Sequence, residues 1–108
     1  MSVSPNAVRG EVLIEIEGAP RRLCFTLGAL AELETAFEAD GLSAVAARLS
    51  QGRARDLAVA LAALLRGGGE AELASHVLEA GVDPLAAARA VAQAVAAVGA
   101  DAEAPGKL

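Results

Sequence analysis

Residues able to do chemistry are few in this sequence, and they are scattered. His76 is the single histidine and Cys24 the single cysteine. Hydrolysis by a triad needs a nucleophile, an imidazole and a carboxylate that orients it, and no serine motif accompanies His76. A transition-metal site needs three or four His, Cys or carboxylate ligands, and neither Cys24 nor His76 has a second ligand at metal spacing. Cys24 stands inside an alternating stretch, where a lone thiol reads as a small buried hydrophobe. Gly67-Gly68-Gly69 invites comparison with a phosphate loop, but no strand precedes it and no Lys-Ser/Thr pair follows. It reads as a flexible joint between helical hairpins. Carboxylates are plentiful, yet they fall on faces that pattern as solvated. No catalytic, cofactor-binding or metal-binding residue is therefore expected, and the chain is not expected to be an enzyme.

Two binding chemistries also fail on charge. Glu70 to Gly81, then Val82-Asp83-Pro84, then Leu85 to Val98 has the outline of a helix-turn-helix. A recognition helix must carry side chains for base edges and phosphates, and this one offers Arg89 and Gln93 among alanines. The formal net charge is -5, whereas non-specific binding to nucleic acid or to anionic membranes needs excess Lys and Arg. No nucleic-acid or membrane partner is expected. The apolar run from Leu57 to Leu65 is too short to span a bilayer. Met1 to Gly10 lacks the basic and apolar regions of a signal peptide, so a cytoplasmic protein is expected.

Any site must be positioned by a core of restricted vocabulary. The chain has 108 residues, 55% of them hydrophobic but only 2% aromatic. Ala dominates and buries little area per residue. The stability then rests on a small set of Leu, Val, Ile and Phe anchors, while Ala-rich surfaces let helices approach closely, within the chain or between copies of it. The length suits one domain, expected over residues 8–98, with a flexible leader at 1–7 and a flexible tail at 99–108.

From Val8 the pattern alternates: Val12, Ile14 and Ile16 point one way, and Glu11, Leu13, Glu15 and Glu17 the other, as in a half-buried antiparallel strand. Gly18-Ala19-Pro20 breaks it, and Arg21 to Phe25 reads as the return strand with Leu23 and Phe25 inward. Arg21 and Arg22 are placed to pair with Glu15 or Glu17. At Thr26, a helix cap, the apolar period lengthens to that of a helix whose stripe is Leu27, Leu30, Leu33 and Phe37. Both Phe residues of the chain lie at this handover, and the core is expected to nucleate where Phe25 and Phe37 meet. Glu34 falls at the edge of the stripe, a boundary carboxylate paired with an Arg or water, or one that fixes a loop or partner backbone.

Gly41 is expected to end this first helix in the left-handed conformation. A short helix through Leu42, Val45 and Leu49, capped by Ser43, comes next, then a third from about Arg53 to Arg66 on Leu57, Leu61 and Leu64. A fourth spans Glu70 to Ala80. Asp83-Pro84 starts a fifth, which runs to about Val98 with Ala88, Val91, Val95 and Val98 on one side. The predicted class is α+β and mostly helical: an antiparallel N-terminal β-hairpin packed on about five helices, two of them short. Its predicted anchors are Ile14, Ile16, Leu23, Phe25, Leu30, Leu33, Phe37, Leu57 and Leu61. An apolar face on the last two helices, with Leu78, Val91 and Val95, is the expected partner surface.

The order of these segments carries a family resemblance. Gly10 through Ile16, Gly18, Phe25-Thr26-Leu27-Gly28-Ala29-Leu30-Ala31-Glu32-Leu33-Glu34, Gly41-Leu42, Leu61 to Gly69, and the acidic helix leading to Val82-Asp83-Pro84 together resemble the tail assembly chaperone family. These proteins, also catalogued as tail-tube-associated, are encoded in the tail gene clusters of gene transfer agents and siphophage-like prophages. Phe25 stands where a short aliphatic is usual, and the triple glycine where a larger residue often stands. The resemblance implies an assembly factor in the cytoplasm of a bacterial host, which binds the apolar helical tape measure protein, recruits tail tube protein and leaves as the tube polymerises. Self-association into a homo-oligomer is consistent with it. A structural tube or connector subunit retained in the particle is the alternative, although a tube built by sheet augmentation needs more strand than this chain shows.

Overall fold

Alternation in Glu11–Ile16 produces strand β1, which pairs antiparallel with β2, Ala19–Cys24. In the computed structural model, which describes residues 11–106 and their side chains through residue 98, these two strands form the sheet. The proposed leader lies outside the described residues. The turn is only Glu17-Gly18, with φ of 57° and 76°. Positive φ at both positions is the type I′ geometry, whose twist matches that of the flanking strands. Ala19 and Pro20 therefore belong to the ladder, opposite Ile16 and Glu15, and do not break it. Pro20 is tolerated because neither strand of a two-stranded sheet is central. The register also decides the ion pairs. Arg21 reaches Glu17 and Glu70, each at 3.8 Å, and Arg22 reaches Glu11 at 3.0 Å, so Glu15 takes neither arginine.

Thr26 caps α1, Leu27–Phe37, its Oγ1 accepting from the Ala29 N–H at 3.0 Å. The buried stripe of α1 is Ala29, Leu33 and Phe37, with Leu30 half-buried beside it. Leu27, predicted to belong to the stripe, is 84% exposed. On the helix it lies about a third of a turn from the 29–33–37 row. The helix ends at Glu38, in the left-handed region at φ 54°, where Ala39 N–H bonds back to Glu34 C=O in a Schellman-type closure. Gly41, predicted to end α1, instead opens α2, Gly41–Leu49, and Ser43 makes no cap.

Helix α3, Ala54–Gly67, is the hub. Ala60, Leu61, Ala63, Leu64 and Leu65 are all buried on it, and it packs against α1, α2, β2 and the C-terminal helices. Phe25 and Phe37 are both buried in the same cluster, but the element that every layer shares is α3. Of the remaining predicted anchors, Ile14, Ile16, Leu23, Leu33 and Leu61 are buried, while Leu57, like Leu30, is half-buried against the core.

The triple glycine does more than join helices. A Cβ on Gly67 would stand 2.3 Å from the Cys24 carbonyl oxygen, and one on Gly68 would stand 2.1 Å from that of Arg22. Only glycine allows the end of α3 to lie this close against β2. Gly69, at φ 89°, takes the left-handed position of a second Schellman closure, in which the Glu70 N–H bonds to the Leu65 C=O at 2.8 Å.

Beyond it the predicted fourth helix is split into α4, Ala71–Ala74, and a 3₁₀ turn, Val77–Glu79. Leu73, Val77 and Ala80 are still the buried positions. Helix α5 is Pro84–Gly106, longer than the expected stop at Gly99, and begins as predicted with Asp83 Oδ2 accepting from the Ala86 N–H at 2.9 Å. Its buried side is Ala87, Ala90, Val91 and Ala94, packed on α3 and β1. Five helices and one hairpin among the described residues make a mostly helical α+β fold.

Candidate partner-binding groove

One stretch of the surface is shaped by small side chains. Where α5 crosses α3 and the end of α2, Ala46, Ala54, Ala58, Ala88 and Ala92 stop short of filling the space between backbones. Two adjoining depressions result. One, of ≈ 290 Å³, lies between α3 and the 3₁₀ turn, with Leu57, Leu61, Leu78 and Val82 on its walls. The other, of ≈ 380 Å³, lies between α2, α3 and α5, walled by Leu49, Leu57, Val91 and Val95. Gly52 and Leu57 border both, so they form one apolar groove with a shared waist.

The three residues predicted for a partner face are divided by this geometry. Leu78 is 80% exposed at the mouth of the first depression, Val95 is half-buried in the second, and Val91 is 2% exposed on its floor. They line one groove without making one flat face, and Val91 belongs to the core as much as to the surface. The sequence reading missed the contribution of α2 and of the Gly52 turn, because only the return of α5 across α3 brings them beside Val95.

Beside the groove, α2 and α3 are tied by an ion pair between the half-buried Arg48 and the buried Asp56, which the pattern of residues did not single out. Asp56, 3% exposed, accepts from Arg48 Nε at 2.8 Å and from Arg48 Nη2 at 3.4 Å. Arg53 stands 3.7 Å from the same carboxylate. The Arg48 guanidinium also donates to the Phe37 carbonyl at 3.3 Å and lies 4.8 Å over the Phe37 ring. One arginine thus ties together the end of α1, α2 and the start of α3, using the planar fork that a lysine lacks. Asp56 lies in the first turn of α3, where a carboxylate also suits the helix dipole.

Glu34 acquires a partner. Its Oε2 accepts from the Gly41 N–H at 2.6 Å, so it fixes the α1–α2 loop and satisfies an orphan donor at the start of α2. Asp40, at the N-cap position, makes no side-chain cap, and Glu34 does its work from seven residues back. On the other flank Glu32 pairs with Arg66, joining α1 to the end of α3.

Cys24 and His76 lie on different elements. Cys24 is half-buried in β2, and burial pushes its thiol pKa up, with the Glu11 carboxylate adding to the shift and Arg22 opposing it. A thiol held protonated is a poor nucleophile. His76 is exposed between α4 and the 3₁₀ turn. Among the described residues no group of three His, Cys, Asp or Glu could hold a metal ion, and no helix is long and apolar enough to cross a membrane.

Comparison with family models gives the groove its context. The model described as phage tail tube protein, GTA-gp10, matches residues 9–100, which spans both strands, α1 to α4 and most of α5. The chain belongs to that family. Membership places it among the tail proteins of phages and gene transfer agents, as the order of its sequence segments implies. No curated protein and no solved structure matches the chain.

Proposed function

We propose that this member of the GTA-gp10 family is a non-enzymatic component of tail-tube construction that acts by docking on other tail proteins through the α3–α5 groove. The family match across residues 9–100 carries this reading, and the groove supplies a contact surface consistent with it. The family's description speaks for a component that belongs to the tube and stays in the particle, so this reading stands ahead of the chaperone reading. Contacts with tail tube protein follow from it.

A second reading is favoured by the two-stranded sheet, which offers little strand for a wall built by edge-to-edge pairing. In that reading the protein is a tail assembly chaperone in the bacterial cytoplasm that keeps the helical tape measure protein soluble and leaves as the tube grows. Apolar helix-in-groove contacts are a known mode for such recognition.

Deletion of the gene combined with mass spectrometry of purified particles tests both. Loss of tails with the protein abundant in wild-type particles supports the retained component. Loss of tails with the protein absent from finished particles supports the chaperone, and co-expression should then raise the soluble fraction of the tape measure protein. Normal tails in the deletion strain refute both.

A further inference from the structure

We propose that residues 71–80, which carry α4 and the 3₁₀ turn, form a hinged flap that opens from α3 as one unit while the rest of the fold stays intact. The polar links between this segment and its surroundings end at Glu70. That residue accepts from the Arg22 N–H at 3.3 Å, lies 3.8 Å from Arg21, and donates its own N–H to the Leu65 carbonyl. From Ala71 to Ala80, every backbone hydrogen bond among the described residues stays within residues 70–80, and the Ser75 hydroxyl donates to the Glu72 carbonyl. No ion pair among the described residues includes Glu72, His76 or Glu79. The segment is therefore held to α3 by apolar contact, through the buried Leu73, Ala74, Val77 and Ala80. Two of these four are alanines, which bury little area.

The seat beneath the 3₁₀ turn is incompletely filled. Ala58, Val77 and Leu78 line two depressions at once: the one of ≈ 290 Å³ toward Leu57 and Leu61, and another of ≈ 240 Å³ toward Val59 and Ala62. The turn thus meets α3 with open space on two sides and forfeits the dispersion contacts of a filled interior. Its ends are also built to turn. Gly69 and Gly81, at φ 89° and 69°, bound the segment, and a Cβ on either would meet nothing within 4 Å. Glycine moves between left- and right-handed backbone without the penalty other residues carry, so two pivots stand in open space at the two ends of a segment that lacks polar anchors between them. Elements with few buried apolar contacts are the ones that open locally, below the cost of global unfolding. Opening joins the two depressions over Ala58 and removes Val77 and Leu78 from one wall of the α3–α5 groove. The flap thereby sets how much of α3 is uncovered, and its motion needs no partner.

Thiol labelling of the full chain tests this. Cys24→Ala removes the native thiol. In that background Ala80→Cys and Val77→Cys each place one thiol beneath the flap, and Val45→Cys places a reference thiol at a fully buried position of α2. Circular dichroism with thermal melting verifies that each variant folds. An aromatic disulfide reagent is used in excess, in the range where the rate is proportional to its concentration. Both flap thiols should then react about 100-fold or more faster than the Val45→Cys thiol, and within about tenfold of one another. Urea should accelerate them far less than the reference, because opening exposes less surface than unfolding does. Adding Glu34→Ala, which weakens the fold away from the flap, should speed the reference about fivefold and leave the flap thiols unchanged. Flap thiols that react as slowly as the reference, with its urea dependence and its response to Glu34→Ala, overturn the proposal. Rates at the two flap positions that differ by more than tenfold overturn it as well, since one motion must uncover both.

Discussion

Replacing Gly68 by alanine probes the closest approach in the molecule. The new Cβ would lie 2.1 Å from the Arg22 carbonyl oxygen and 2.7 Å from its carbonyl carbon. Both are backbone atoms of β2, so no side chain can swing aside. The end of α3 must retreat by roughly 1 Å, in an interior packed without slack. Backbone conformation is not at issue: Gly68 sits at φ -91°, ψ 3°, which alanine adopts readily. The substitution also lowers unfolded-chain entropy, a gain of about 0.4–1 kcal/mol. Overpacking costs about 1–3 kcal/mol, occasionally more, and here it loosens the packing of α3 on β2, elements whose Leu23, Leu64 and Leu65 are all buried. A net destabilisation of about 2 kcal/mol is expected, which lowers the melting temperature by roughly 8 °C for a domain near this size. Thermal unfolding followed by circular dichroism measures it. Gly28→Ala is the control, since its Cβ would meet only Thr26 Oγ1 at an ordinary 3.7 Å. Within α1 that change should stabilise by about 0.5–1 kcal/mol. A Gly68→Ala protein that melts with the parent would refute the argument that glycine is required by contact with β2.

Arg48→Met keeps most of the side-chain volume but leaves the buried Asp56 carboxylate with Arg53 alone; urea unfolding should show a loss of about 3 kcal/mol, and Arg48→Met with Asp56→Leu should recover part of it. Glu34→Ala removes the acceptor for the Gly41 N–H and should cost about 1 kcal/mol, with Glu34→Gln costing less because its amide oxygen still accepts; the same denaturant titration separates them. Phe37→Ala empties a site against Arg48 and the α1–α3 layer and should cost about 3–5 kcal/mol; a melting temperature within error of the parent's would mean that the ring is not part of the core.

Much of the fold was legible because local chemistry and global packing agree. Thr26 and Asp83 cap the helices that the sequence predicts, and the alternation of Val12, Ile14 and Ile16 identifies the buried side of β1. Where the reading departed from the structure, a nonlocal contact decided the outcome. Leu27 looks like a core residue by type, but the row of Ala29, Leu33 and Phe37 faces α3 and leaves it outside. Gly41 looks like a stop signal, yet Glu38 accepts the left-handed position because Ala39 and Glu34 close the turn around it. The continuous helix expected over Glu70 to Ala80 is broken at Ser75 and His76, which leaves Leu73, Val77 and Ala80 all facing inward.

The candidate groove was the least legible feature. Residue types predicted an apolar surface on the C-terminal helices, and Leu78 and Val95 do border it. Its far wall comes from α2 and Gly52, some forty residues earlier along the chain (roughly a third of its length), and no local pattern encodes that proximity.

By itself, then, the sequence determined the class of fold, the starts of α1 and α5, and the buried face of the hairpin, since each depends on neighbours within a few residues. Tertiary structure alone decided that α3 is the hub, that Gly67 and Gly68 lie against β2, that Glu34 caps a helix it does not belong to, and that Arg48 reaches the buried carboxylate of Asp56. Those features require atoms distant in the chain to come within a few ångströms, and only the packed arrangement of all the elements sets such distances.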